Sequence, residues 1–182
     1  MMLRRALGVP TIFNSMGPLL NPLHPAYRLL GVSSPIMQKM LADYLTQDSH
    51  TEVAWLPRAS SGLDELVSDE PNCVYTVVKQ SQKMLDLDFS SKKNPLLKVP
   101  THSHTPEENR VIFHAIVSGE DKQSLDYENV CLNAGAGMHI AGRAESLELG
   151  IEQAKHLLQT GQVQEKYKQV QKAYKQLRRY AS

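Results

Sequence analysis

Cysteine is scarce: Cys73 and Cys131 are the two in 182 residues, far too few for a disulfide scaffold. No stretch approaches the ~20 apolar residues of a membrane span, and residues 1–8 lack the apolar core of a signal peptide. An excess of one charge is missing too. Lysine and arginine number 20 against 19 aspartates and glutamates, a net charge of +1, which gives no global argument for nucleic acid or an acidic partner. There is no Ser-His-Asp context, no Walker phosphate loop, no Cys-x-x-Cys pair and no repeat with a period of 20–50 residues. What is present is ordinary globular composition, 41% hydrophobic and 21% charged. The length suits one domain over 1–182, large enough to bury about 70% of its unfolded surface without a structural metal. The expectation is a cytoplasmic α/β protein.

Residues 1–35 are dense in turn formers, among them Gly8, Pro10, Gly17, Pro18, Pro22 and Pro25. Proline fixes φ and removes a donor, so no long helix runs there. Interleaved Ile12, Phe13, Met16, Leu19 and Leu20 predict an ordered loop that packs. Residues 27–33 read as a strand between prolines. Ser34 offers an N-cap and Pro35 suits the first helical position. Met37, Met40, Leu41, Tyr44 and Leu45 then repeat at helical spacing. Residues 51–56 are a second strand, which completes a βαβ unit and predicts a mostly parallel sheet flanked by helices. Residues 73–78 are a third strand and 80–104 read as irregular. Thr105 caps a helix over 106–118, with Glu107 and Glu108 in its first turn. In the small, apolar stretch 127–144, Gly135 and Gly137 predict close approach to the sheet. Helices follow over 146–160 and 162–180. In the last, Val163, Tyr167, Val170, Tyr174 and Leu177 alternate steps of four and three, a narrow seam expected to face inward.

The strongest chemical signal is Ser61-Gly62-Leu63-Asp64-Glu65, just past the second strand. Sites in open α/β sheets collect at the carboxyl ends of strands. Two adjacent carboxylates supply hard oxygen ligands for Mg²⁺ and leave it open to a phosphate. The plainer alternative is that Asp64 and Glu65 begin a short helix and favour its positive end. Arg4-Arg5 offers guanidinium groups for a carboxylate or phosphate, or simply two solvated charges. His102 and His104 have no acid or cysteine nearby to complete a zinc set, and a polar loop is the better reading. His114 and His139 read as packed core histidines, and Asn133 as a structural group bonding a loop across the sheet. Lys166, Lys168, Lys172, Lys175, Arg178 and Arg179 make the last helix basic, either a solvated face or a nucleic-acid face.

Several segments together carry a resemblance. Residues 4–22, from Arg4-Arg5-Ala6-Leu7-Gly8 through Thr11, Phe13-Asn14, Gly17-Pro18-Leu19 and Asn21-Pro22, resemble the R-R-x-L-G-x-x-T-x-F-N-x-x-G-P-L-x-N-P segment of anthranilate phosphoribosyltransferases. Gly62-Leu63-Asp64-Glu65 is similar to that family's G-L-D-E motif. Thr105 to Asn109, Leu132-Asn133-Ala134 and Ala141-Gly142 are similar to later segments in the same order. The resemblance implies the C-terminal part of an α/β catalytic domain of the phosphoribosyltransferase and nucleoside phosphorylase type, within glycosyltransferase family 3. It implies transfer of phosphoribosyl from phosphoribosyl pyrophosphate to anthranilate in tryptophan biosynthesis, with Mg²⁺ as cofactor. Arg4 matches the arginine that contacts the anthranilate carboxylate, and Asp64 and Glu65 match the acidic pair that holds Mg²⁺ on the pyrophosphate. No residue needs to be a nucleophile, because such catalysis positions two substrates and neutralises the leaving group.

The departures are specific. The family's N-terminal helical domain, its G-T-G-G-D phosphate loop and its K-H-G-N segment have no counterpart in this sequence. Pro57 to Ser61 replaces the usual histidine-glycine before G-L-D-E, and His102-Ser103-His104 replaces a usual Gly-Gly-Asp. The expectation is therefore a chain that forms a homo-oligomer or works with a missing N-terminal half. The alternative is a divergent member without transferase activity that binds nucleic acid. The opening motif sets the chain apart from the nucleoside phosphorylases.

Overall fold

The computed structural model describes residues 17–19, 21–90 and 105–180. Strand β1 (Tyr27–Leu29) leads into helix α1 (Pro35–Gln47), which returns to strand β2 (Val53–Ala59). Ser34 caps α1 through the Met37 N–H, with Pro35 in the first turn, as the sequence predicts. β1 and β2 pair in parallel, Tyr27 beside Val53 and Leu29 beside Trp55. Strands β3 (Pro71–Val78) and β4 (Ser81–Asp88) complete a four-stranded sheet in chain order.

The expected mostly parallel sheet is realised only in the β1–β2 pair. β2 with β3 and β3 with β4 are antiparallel, so the sheet is mixed. For β3 and β4 the reason is connection length: Val78 faces Ser81 across two residues, and so short a link permits only a hairpin. Lys79 and Gln80 both take positive φ, 42° and 66°, as a primed two-residue turn requires. Residues 81–88 are thus a strand and not irregular chain, and 91–104 lie outside the described residues.

Proline at position 57, in the middle of β2, has a local effect. The Pro57 carbonyl accepts from Val32 N–H at 3.0 Å, as the Trp55 carbonyl does from Leu30 N–H at 2.8 Å. Both therefore face β1, and proline returns no N–H on that side. The regular β1 ladder stops at Leu29, and the chain beyond is held by single bonds. On the opposite side of β2, the buried Gln38 amide of α1 donates to Leu56 O at 2.7 Å and Cys73 O at 2.9 Å.

Helices α2 (Pro106–Ser118), α3 (Leu125–Ile140), α4 (Leu147–Gln159) and α5 (Gln162–Tyr180) follow. α2 starts at a full capping box: Thr105 Oγ1 accepts from Glu108 N–H and the Glu108 carboxylate from Thr105 N–H. The core divides by sheet face. Leu41, Ala42 and Leu45 of α1 pack on Ala54, Leu56 and Val77. On the other face Leu132, Ala136 and Ile140 of α3 and Leu147 of α4 cover Trp55 and Val74, with Leu66 between. A third cluster joins Ile116, Tyr127, Cys131, Ala154 and Leu158 of α2, α3 and α4. A fully buried leucine such as Leu45 or Leu56 contributes about 1.5–3 kcal/mol relative to exposure.

Three expectations are corrected here. Gly135 approaches α4 and not the sheet: a Cβ there would sit 2.5 Å from Ile151 N, and one on Gly150 would sit 2.4 Å from Gly135 O. Gly137 faces open space. His114 is exposed on α2, its ring edge against Phe113 and Tyr167. His139 does pack, with Nδ1 3.2 Å from Ala144 O and its ring edge on Trp55. The α5 seam turns inward only at its start. Val163 packs on the third cluster and Tyr167 on Phe113, whereas Val170, Tyr174 and Leu177 are 54%, 61% and 67% exposed. α5 has outrun α2 and α4 by then. Among the described residues no helix is long and apolar enough to cross a membrane.

Candidate functional site

β2 ends at Ala59, and the chain folds back at once. Ala59 N–H donates to Leu63 O at 3.0 Å, and Gly62 N–H to Ala59 O at 2.9 Å with Gly62 at φ 93°. That φ favours glycine. Glu70 fastens the turn from below: its carboxylate accepts from Ser60 Oγ at 2.6 Å, Ser61 N at 2.8 Å and Ser61 Oγ at 2.5 Å. Asp64 and Glu65 follow on a bend, both exposed, and Leu66 and Val67 drop into the core behind them. No helix begins at the acidic pair, so the helix-start alternative does not apply.

The backbone behind the pair is held by three asparagines. Asn133 Oδ1 accepts from Leu66 N–H at 3.1 Å, and its Nδ2 donates back to Leu66 O at 2.7 Å. Asn72 of β3 does the same for Val67, at 2.8 and 2.9 Å. Asn129 Oδ1 accepts from both Ser68 N and Ser68 Oγ at 2.9 Å. The Leu66 and Val67 peptide groups and the Ser68 N–H thus find partners without a strand ladder. On the β1 side, Gly31 lies against Asp64: a Cβ there would fall 1.4 Å from Asp64 O. Only a glycine lets the two segments touch.

The electrostatics of the pair are those of crowded like charge. Glu65 keeps an exposed edge, yet the chain beside it removes enough water to push its carboxyl above the ordinary glutamate range. Asp64 and then Asp126, in the first turn of α3, push it further. Among the described residues no cation bonds Asp64 or Glu65. Nor does any group of three or more His, Cys, Asp or Glu side chains form a metal cage there. Two hard, uncompensated carboxylates on a rigid loop fit Mg²⁺, a cation that keeps waters and substrate oxygens in its shell. A bound divalent ion would relieve the repulsion that raises Glu65.

The sequence reading thus placed the acidic pair and gave Asn133 its role. It did not single out Asn72, Asn129, Glu70 or Gly31. Asn129 and Asn133 lie four apart on one helix and so share a face, which was the one available signal. Arg4, Arg5, His102 and His104 lie outside the described residues. Cys73 and Cys131 are free thiols, and burial pushes both above the ordinary cysteine range.

Comparison with known proteins bears on the family and the fold. Residues 1–164 match the family described as glycosyl transferase family, a/b domain. The anthranilate phosphoribosyltransferase of Staphylococcus aureus strain Newman is 32% identical over 171 residues, 92% of this chain and 50% of that protein. The crystal structure of the Thermus thermophilus anthranilate phosphoribosyltransferase superposes with a TM-score of 0.70 at 32% identity, over 88% of this chain and 46% of that one. The Saccharomyces cerevisiae enzyme in complex with PRPP and Mg superposes with a TM-score of 0.72 over 90% of this chain and 47% of that one. At 22% identity it speaks for the fold alone. The chain spans about half the length of the relatives it matches. With its α/β layers, its loop at the end of β2 and the match over 1–164, the chain belongs to the glycosyl transferase family and carries that family's a/b domain.

Proposed function

We propose that this chain is the metal-holding half of an anthranilate phosphoribosyltransferase, acting in tryptophan biosynthesis. The observation that carries the reading is the Asp64–Glu65 pair, uncompensated among the described residues and held outward by the asparagine clamp at the carboxyl end of β2. In the reaction the anthranilate nitrogen bonds the ribose anomeric carbon, the bond from that carbon to pyrophosphate breaks, and the nitrogen gives up a proton. Asp64 and Glu65 would hold Mg²⁺, which when bound would supply charge neutralisation for the pyrophosphate leaving group. The backbone behind them keeps the two carboxylates in place through the transfer. Arg4 takes the anthranilate carboxylate, as its match to the family motif implies. An N-terminal half, on the same polypeptide or another, would supply the family's phosphate loop. The free thiols suit a reducing, cytoplasmic setting. The lysines of α5 support the nucleic-acid alternative less well, because Lys168, Lys172 and Lys175 form an evenly exposed helix face, the ordinary place for solvated charge.

Titration calorimetry of the chain with phosphoribosyl pyrophosphate and Mg²⁺ tests the reading. Binding that requires Mg²⁺ and falls at least 10-fold in Asp64→Asn/Glu65→Gln is expected. No Mg²⁺-dependent binding by the unaltered chain at millimolar ligand overturns it.

A further inference from the structure

Asp64 and Glu65 lie in a loop that is fastened on both sides. After the pair, Leu66, Val67 and Ser68 are held by the three asparagines. Before it comes the turn at Ser60 and Ser61, part of the stretch that stands where the family usually has histidine-glycine. The main chain secures this turn at Ser60 N–H to Pro71 O, 2.9 Å, and at the Ala59 bonds already described. The side chain that crosses to it is Glu70, the residue before β3. One carboxylate oxygen accepts from Ser60 Oγ at 2.6 Å and from Ser61 N–H at 2.8 Å, and the other accepts from Ser61 Oγ at 2.5 Å. Glu70 is half-buried, while both serines are exposed.

Fixing one residue's backbone costs about 1–2 kcal/mol, and an exposed turn has little apolar burial to offset that. Hydrogen bonds to an ionised carboxylate are about twice as strong as neutral ones. Three of them close the chain from Ser60 to Glu70 into a ring, with the acidic pair near its middle.

We propose that Glu70 is a positioning residue for the Mg²⁺ site, an inference that rests on the reading of Asp64 and Glu65 as the metal-holding pair. It acts through Ser60 and Ser61. By holding them it fixes the approach to the pair, as the asparagines fix the exit, and so sets the direction in which the two carboxylates point. Mg²⁺ demands near-octahedral geometry, so the direction of a ligand counts as well as its charge.

A staple and a mere third negative charge differ in what glutamine does. Glu70→Gln removes the charge as fully as Glu70→Ala. It keeps the staple, because the amide oxygen can take the bonds from Ser60 Oγ and Ser61 N–H. The amide nitrogen can donate to Ser61 Oγ, a hydroxyl that accepts as well as donates.

The probe is Mn²⁺ alone with the full chain, without phosphoribosyl pyrophosphate. Mn²⁺ takes the same hard oxygen ligands, and when bound to the pair it broadens the amide NMR signals of Gly62 to Leu66. Asp64→Asn/Glu65→Gln should abolish that broadening. Glu70→Ala should need roughly 10-fold more Mn²⁺ to reach the same broadening, and Glu70→Gln should restore the response of the unaltered chain. Ser60→Ala/Ser61→Ala leaves Glu70 in place and should weaken binding as Glu70→Ala does. Combining the two should add little, since both remove one set of bonds. Core amides such as Leu45 and Leu56 should keep their positions. If Glu70→Ala disturbs them, the serine variant gives the same reading. The proposal is overturned by a Glu70→Ala or serine variant that binds Mn²⁺ like the unaltered chain. It is equally overturned by a Glu70→Gln as weak as Glu70→Ala, or by an unaltered chain whose loop Mn²⁺ does not broaden. Phosphoribosyl pyrophosphate binding is measured separately. Its absence beside an intact Glu70 effect would sink the transferase reading alone, and its presence beside an indifferent Glu70→Ala would sink the staple alone.

Discussion

Asn133 uses both ends of one amide on one residue, Leu66, at 3.1 and 2.7 Å. Asn133→Ala would leave that N–H and C=O partly buried and unbonded. We expect a loss of about 2–3 kcal/mol in urea denaturation, together with weaker Mg²⁺-dependent ligand binding, because the acidic pair would lose its backing. Glu65 makes the opposite kind of statement. Its pKa is raised in the fold, first by burial and then by Asp64 and Asp126. A carboxyl that holds its proton more tightly folded than unfolded gives its full contribution below the unfolded pKa, and that contribution is lost as pH rises through the folded pKa. Glu65→Gln should therefore raise the melting temperature at pH 7, with the gain fading as pH falls below the ordinary glutamate range. Thermal scans across pH 3–8 check the sign. The residue type at positions 64 and 65 was legible in the sequence because chemistry resides in the side chain itself. Gly31 was not, since its reason is the approach of a backbone 33 positions away.

At the level of elements, local signals were read correctly and distant ones were not. The starts of α1 and α2 are written in adjacent residues, Ser34-Pro35 and Thr105 through Glu108, so the sequence displays them. β4 escaped because its turn is Lys79-Gln80. Both residues take the positive φ that asparagine and glycine usually advertise. The α3–α4 contact was misassigned to the sheet because a glycine announces a close neighbour without naming it. That contact sets two general effects against each other. Glycine in a helix costs about 1 kcal/mol relative to alanine, yet a methyl at Gly135 would meet Ile151 N at 2.5 Å and Gly150 C at 2.7 Å. Backbone cannot step aside, so Gly135→Ala is expected to destabilise by about 2 kcal/mol or more. Gly137→Ala, two residues along and facing open space, should stabilise by about 0.5–1 kcal/mol. Denaturant midpoints of the two variants separate packing from propensity.

Taken whole, the molecule is a sheet covered on both faces. One cluster lies under α1, another under α3 and α4, and a third ties α2 to that pair. The α/β class was legible because a strand, a capped helix and a second strand follow at βαβ spacing. The mixed direction of the sheet was not, because β3 returns antiparallel to β2 after the acidic loop and β4 returns after a turn without the usual glycine or asparagine. The acidic loop sits at one margin of this body and is gripped almost wholly through main-chain atoms. Leu66, Val67 and Ser68 give their peptide groups to Asn133, Asn72 and Asn129, while the side chains of Asp64 and Glu65 take no part in the grip. The loop therefore behaves as a socket. Its shape is set by residues outside positions 64 and 65, and those two can be exchanged without refolding what holds them. A change of metal preference is open to this scaffold by two substitutions, as is the loss of metal altogether. Either would leave a protein of the same fold whose chemistry no superposition of backbones would distinguish.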